Sequence, residues 1–194
     1  MNSRAFTLIE LVVSIAIFAL MTALVVVKYG NFNQSVLLTN LAYDVALTVR
    51  TAQTYGLSVK STSGDDPFKY GYGVHFSTDA GSDAEMILYA DFDENNRFTE
   101  NTNEEVNIYT IKRGAVISDL CIGTESMCAS GVSGGESIVD ITFKRPDPNA
   151  QILGDDNCGG PSCFKKYARI TVQATDGSTR AVSVRENGQI SVED

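Results

Sequence analysis

Residues 4–13 read Arg4-Ala5-Phe6-Thr7-Leu8-Ile9-Glu10-Leu11-Val12-Val13, and the apolar run they open continues to Val27. From Phe6 to Val27 the single ionisable side chain is Glu10, and there is neither Pro nor Gly. At about 1.5 Å of rise per residue, a helix over this run reaches across the roughly 30 Å hydrocarbon core of a bilayer. Arg4 and the initial amine precede the run, so the expected orientation keeps the N-terminus cytoplasmic and exports the rest.

Glu10 is the residue that asks for a reason. A carboxylate within a membrane helix costs on the order of 2.5–3.5 kcal/mol even on lenient insertion scales. One explanation leaves it at headgroup level, with Leu11–Val27 in the hydrocarbon. The other gives it a partner. The order Ala5-Phe6-Thr7-Leu8-Ile9-Glu10-Leu11-Val12-Val13 resembles the processing signal of type IV prepilins and type II secretion pseudopilins. In that family a short basic leader ends on a small residue before Phe, and a Glu four residues after the Phe opens an apolar helix. Ala5 stands where the family usually has Gly.

The resemblance implies a mechanism. Prepilin peptidase would cut between Ala5 and Phe6, removing Met1–Ala5, and would methylate the freed amine of Phe6. On assembly Glu10 would face the positive N-terminus of a neighbouring subunit. An ammonium and a carboxylate offset each other's burial cost only when they meet closely in a low-dielectric bundle. The implied partners are prepilin peptidase, other pilin or pseudopilin subunits, an inner-membrane assembly platform and membrane lipid. A secretory signal peptide would also be basic then apolar. This run is longer, contains Glu10, and reaches Lys28-Tyr29 without a small-x-small cleavage site. A plain single-pass anchor explains the hydrophobicity but not the Phe-Thr-Leu-Ile-Glu order.

The 194 residues suffice for one membrane helix and one globular domain. Setting aside Arg4, Lys28 and Glu10 leaves 13 of the 15 basic residues against 23 of the 24 acidic ones. That balance argues against nonspecific nucleic-acid binding, which Lys and Arg carry. The densest basic patch, Lys165, Lys166 and Arg169, reads as a solvated strand entrance; a DNA-uptake or ligand-binding tip subunit is the alternative it keeps open. The cysteines form two close pairs, Cys121 with Cys128 and Cys158 with Cys163, each bracketing a Gly/Ser-rich loop. Local disulfides in an exported head are the expectation, and a four-thiolate zinc site is the alternative.

After the membrane run, Leu38, Leu41, Val45, Val49 and Ala52 recur at helical spacing. This stripe predicts one long helix from about Thr7 to Tyr55, stopped near Gly56, with its second half buried against a sheet. Leu41-x-x-Asp44-Val45 and Arg50-x-Ala52-Gln53 resemble the same region in minor pilins and pseudopilins of the GspH/FimT type. From Leu57 the period turns towards two. Expected strands are 57–62, 70–76, 85–92, 106–112, 115–120, 137–144, 168–174, 179–185 and 189–192. Asp176-Gly177 and Asn187-Gly188 mark hairpin turns. The stretches 63–67, 93–105, 123–136 and 146–162 read as turn-rich. The expected fold is α+β: a long N-terminal helix, transmembrane in its first half and amphipathic in its second, packed on an antiparallel β-sheet head. The expected division is a leader 1–5, a membrane or filament-core helix 6–28, its amphipathic continuation 29–56, and a head 57–194.

Asp91, Asp93 and Asn95 place oxygens at alternating positions, as a calcium loop begins. Glu100, Glu104 or Glu105 could complete such a site. An EF-hand's later ligands are missing, and Asp and Asn in a hairpin need no metal. Gly131-Val132-Ser133-Gly134-Gly135 matches a hydrolase elbow in letters only. That motif needs a strand before it, a helix after it and a later His, whereas His75 comes earlier. The expectation is therefore a non-enzymatic structural subunit of a type II secretion or type IV pilus filament.

Overall fold

The computed structural model describes residues 6–58, 70–129, 135–155 and 163–193, and for 27–33 the backbone alone. Helix α1 runs Leu8–Leu57. Contacts divide the chain into two compact units, Met1–Leu37 and Leu38–Asp194, so the division falls inside α1. In the first unit, Leu8–Val26 is 19 residues long with a mean hydropathy of 2.6, enough in length and composition to cross a membrane. Its side chains are exposed throughout.

In the second unit the 3-4-4-3 stripe behaves as its spacing requires. Leu38, Leu41, Val45, Val49 and Ala52 are 0–7% exposed. Asn40, Tyr43, Asp44 and Leu47 lie on the exposed side. The stripe joins one apolar cluster with residues of two antiparallel sheets. The first sheet has the order β3-β2-β1-β5-β6, built from β1 (Gly71–Ser77), β2 (Glu85–Asp91), β3 (Glu105–Thr110), β5 (Ile138–Lys144) and β6 (Asp147–Leu153). The second has the order β4-β7-β8-β9, from β4 (Val116–Gly123), β7 (Tyr167–Gln173), β8 (Thr179–Arg185) and β9 (Ile190–Glu193). Alternation sets the faces. Val74 and Phe76, Met86 and Leu88, and Ile141 and Phe143 enter the common core. Gly73, His75, Tyr89, Asp91, Asp140 and Thr142 take the opposite face of the first sheet. This is an α+β fold with the helix stripe buried among the sheets' inner faces.

Four sequence expectations need correction. The strand expected at 57–62 begins inside the helix, since Leu57 is its last residue; positions 59–62 lie outside the described residues. Gly56 does not stop the helix. It lies where the helix backbone meets β5, and a β-carbon there would overlap the Phe143 carbonyl. The 146–162 stretch contains β6, whose first three residues are exposed and whose last four are mostly buried. The 123–136 stretch contains a second helix, α2 (Glu125–Ala129), so strands are not all that follows α1.

Cys121 and Cys128 are disulfide-bonded. With Tyr167 they form a small apolar cluster on the outer face of the second sheet. The bond fixes α2 there, and Arg185 adds a two-nitrogen clamp on Glu125 at 2.6 and 3.2 Å. Cys163 is also disulfide-bonded, and Cys158 lies outside the described residues. Thiols held in disulfides are not zinc ligands, which removes the four-thiolate alternative.

Candidate functional site

The N-terminal segment is built from Thr7 upward. Its hydroxyl oxygen accepts the Glu10 backbone N–H at 3.4 Å, and its carbonyl accepts Leu11 N–H at 3.2 Å. Thr7 therefore caps α1, with Glu10 three residues on, the Thr-x-x-Glu spacing of a capping box. A carboxylate in the first turn also meets the positive end of the helix dipole. Phe6, directly ahead of the cap, is 73% exposed. Ala5 lies outside the described residues. The capping role of Thr7 was readable in the Thr-x-x-Glu letters but was overshadowed by the apolar run.

The second cluster sits where β2 leaves the first sheet. Asp91 is the last residue of β2, and Glu104 immediately precedes β3. The backbone bond from Ala90 N–H to the Glu104 carbonyl, 2.8 Å, draws the two together. Asp91, Asp93 and Glu104 bring one carboxylate oxygen each within 4.8 Å of one another. Asp91 and Glu104 are buried. Asp91 accepts Asn95 and Asn96 N–H at 3.0 and 3.2 Å. Glu104 accepts Phe92 N–H at 3.1 Å and Thr99 N–H at 2.9 Å. Burial, then repulsion from Asp93 and Glu104, pushes the Asp91 carboxyl up to about 7, against the backbone bond from Asn96. Burial raises Glu104 as well.

Asn95 sits within the loop's own turn. Its side-chain carbonyl accepts Arg97 N–H at 2.6 Å, and its amide donates to Asp93 at 2.7 Å. Its oxygen thus accepts a bond within the turn, beside the three carboxylates that converge. Three carboxylates without nitrogen or sulfur are a donor set for a hard cation such as calcium.

The loop these carboxylates anchor crosses the outer face of the first sheet. Phe98 packs on His75 and Tyr89, with ring centroids 5.3 and 5.8 Å apart. Phe98 N–H donates to Asp140 at 3.4 Å, and Arg97 reaches the Gly154 carbonyl at 2.7 Å. His75 bonds Asp140 at 2.8 Å beneath it. The histidine is thus engaged in packing and an ion-pair geometry within the sheet. Of the Gly131–Gly135 stretch, 131–134 lie outside the described residues. In the basic patch, Arg169 is bound to Glu193 at 3.2 Å and to the Cys128 carbonyl at 3.4 Å. Its charge is compensated within the head.

Residues 1–26 match the family model described as the prokaryotic N-terminal methylation motif. This is the type IV prepilin signature. No curated protein and no solved structure matches the chain. The signature implies processing by prepilin peptidase and assembly with other pilin subunits. Together with the exposed apolar helix it fits an inner-membrane-anchored, pilin-like structural subunit.

Proposed function

We propose that this protein is a minor pilin or pseudopilin, a filament subunit of a type II secretion or type IV pilus system. Cleavage falls between Ala5 and Phe6, Phe6 becomes the methylated N-terminus, and Glu10 receives a neighbour's N-terminal charge. The observation that carries the reading is the methylation motif over residues 1–26, which contains an apolar helix, Leu8–Val26, whose side chains are exposed. A helix so exposed needs either lipid or its like around it, and subunits repeating head to tail supply the second without closing. The head stands on the periplasmic or extracellular side. Mass spectrometry of native material tests this: the expected N-terminus is N-methylated Phe6. Retention of Met1–Ala5 in assembled material overturns the reading. Replacing Ala5 by a bulky residue is expected to block processing.

For the loop cluster, calcium is the ligand that the three carboxylates of Asp91, Asp93 and Glu104 would take, as a structural ion. The support is their convergence within 4.8 Å and the rise of the Asp91 carboxyl, which a divalent cation would reverse. A calcium titration followed by melting temperature is expected to raise it. No shift at millimolar calcium removes the assignment.

A further inference from the structure

We propose that the cavity in the loop between β2 and β3 is a binding site for a neutral saccharide, held by Asn101, Thr102 and Asn103 against Phe98. Residues 98–99 and 101–105 wall a cavity of about 340 Å³. That lies at the lower end of the roughly 300–1,000 Å³ of small-molecule sites, which suits a small ring-shaped ligand.

The lining chemistry selects among ligands. Among the described residues no Lys, Arg or His lines the cavity, whereas Glu104 and Glu105 do, so an anion finds repulsion and no counter-charge. Phe98 is the one apolar lining residue, too little to bury a lipid. An organic cation gains little. The Glu104 carboxylate is buried and already accepts Phe92 and Thr99 N–H. Glu105 is exposed, and a single solvated ion pair contributes little. An uncharged polyol fits best, because each of its hydroxyls both donates and accepts. Each Asn amide offers two N–H donors and a carbonyl acceptor. Asn101 and Asn103 are exposed, and neither amide has a protein partner among the described residues. Thr102 donates its hydroxyl to the Thr99 carbonyl at 2.5 Å, and its oxygen still accepts. Phe98 supplies an apolar surface for the C–H groups on a sugar's face.

The walls are set before a ligand arrives. Phe98 rests on the His75 and Tyr89 rings, with centroids at 5.3 and 5.8 Å. Thr99 N–H is tied to Glu104 at 2.9 Å. Asn101 and Asn103 hold φ at 65° and 58°, a left-handed backbone that Asn tolerates. Glycine would serve that backbone as well, but it would leave the cavity without side-chain donors. Little ordering entropy therefore opposes binding. The site lies within the head, so it stands or falls apart from the filament reading.

The test is an NMR titration of the isotope-labelled, full-length chain in a detergent without a sugar headgroup. Chelator is present throughout, so that the Asp91, Asp93 and Glu104 cluster holds no calcium. The probes are glucose, galactose, mannose and N-acetylglucosamine. At least one is expected to shift the Thr99 backbone amide and the Asn101 and Asn103 side-chain amides saturably, with a Kd on the order of 1 mM. Combining Asn101→Gly with Asn103→Gly keeps the left-handed backbone and removes both amides. The pair is expected to weaken that binding at least about tenfold, read at Thr99, with an unchanged melting temperature. Asn103→Asp, nearly the same shape, removes donors alone and is expected to weaken binding in the same direction. Shifts that stay linear in concentration for all four sugars, or variants that bind as wild type does, overturn the proposal. Saturable shifts with spermidine and none with the sugars overturn it too, and assign the cavity to organic cations.

Discussion

The ring of Tyr89 lies over Gly73 on the neighbouring strand: a β-carbon on Gly73 would stand 2.5 Å from the Tyr89 Cζ atom. Tyr89 is fully buried, and its hydroxyl meets Thr142 at 2.7 Å. The glycine thus seats the ring that bridges β2 to β5 and that Phe98 covers. Gly73→Ala is expected to destabilise the head by about 2–3 kcal/mol, through overpacking and loss of the Thr142 bond. In a Tyr89→Ala background the same change is expected to cost under about 1 kcal/mol. Urea unfolding of the double-mutant cycle reads the difference as coupling between the two positions.

The Asp91 carboxyl makes stability depend on pH in an unusual sense. Its folded value of about 7 lies above the ordinary 3.8. The folded state then holds its proton more tightly than the unfolded chain does. The stabilisation is complete below about 4 and is lost as pH rises through 7, at up to about 1.4 kcal/mol per unit. Glu104, raised by burial too, acts in the same direction. With chelator present, wild-type stability is expected to fall from pH 5 to pH 8, and Asp91→Asn is expected to flatten that slope. A slope equal in wild type and variant would show that Asp91 does not carry it.

The helix stripe predicts a sharp contrast between opposite faces of one turn. Val45 is fully buried, whereas Leu47, two residues on, is 63% exposed. Val45→Ala is expected to lower stability by about 1.5–3 kcal/mol, by lost burial and a cavity. Leu47→Ala, although it removes more side chain, is expected to stay within about 0.5 kcal/mol. Chemical denaturation of the two variants checks the ordering.

Periodic features were legible because burial repeats with them. The stripe from Leu38 to Ala52 names its own inner face, and the strand 167–173, whose burial alternates, is read within a residue. β6 was hidden because Asp147-Pro148-Asn149 opens it with turn letters, and its burial begins only at Ala150. α2 is a single turn and a half, too short for a period, and its disulfide and Arg185 clamp hold it. The acidic cluster was half legible. Asp91 and Asp93 are neighbours in sequence, and Glu104 was one of three glutamates that could complete the set; spacing does not choose among them, whereas the β2–β3 ladder does. The letters at Asn95 show an oxygen but not where it turns; it accepts Arg97 N–H. Gly56 and Gly73 look alike as letters, and only packing distinguishes a close approach from a stop.

Glu10 now has two roles to separate, since its backbone N–H is capped by the Thr7 hydroxyl in the first turn of α1 and its carboxylate carries the charge assigned to assembly. Glu10→Gln keeps the side-chain length and the Thr7 cap and removes the charge. Thr7→Val keeps the charge and removes the hydroxyl that accepts Glu10 N–H. If local capping were the whole reason for Glu10, Glu10→Gln would assemble like wild type, and Thr7→Val would be the damaging change at about 1 kcal/mol of helix start. If the carboxylate meets a neighbour's methylated Phe6 amine in the filament core, Glu10→Gln leaves that ammonium buried without its counter-charge, a cost of about 3–5 kcal/mol. The expected outcome is normal cleavage for both variants, with filament incorporation of Glu10→Gln reduced at least about tenfold and that of Thr7→Val near wild type. Quantifying both chains in the membrane and sheared-filament fractions decides between the two roles, since processing in the membrane fraction shows that each variant reached the peptidase intact.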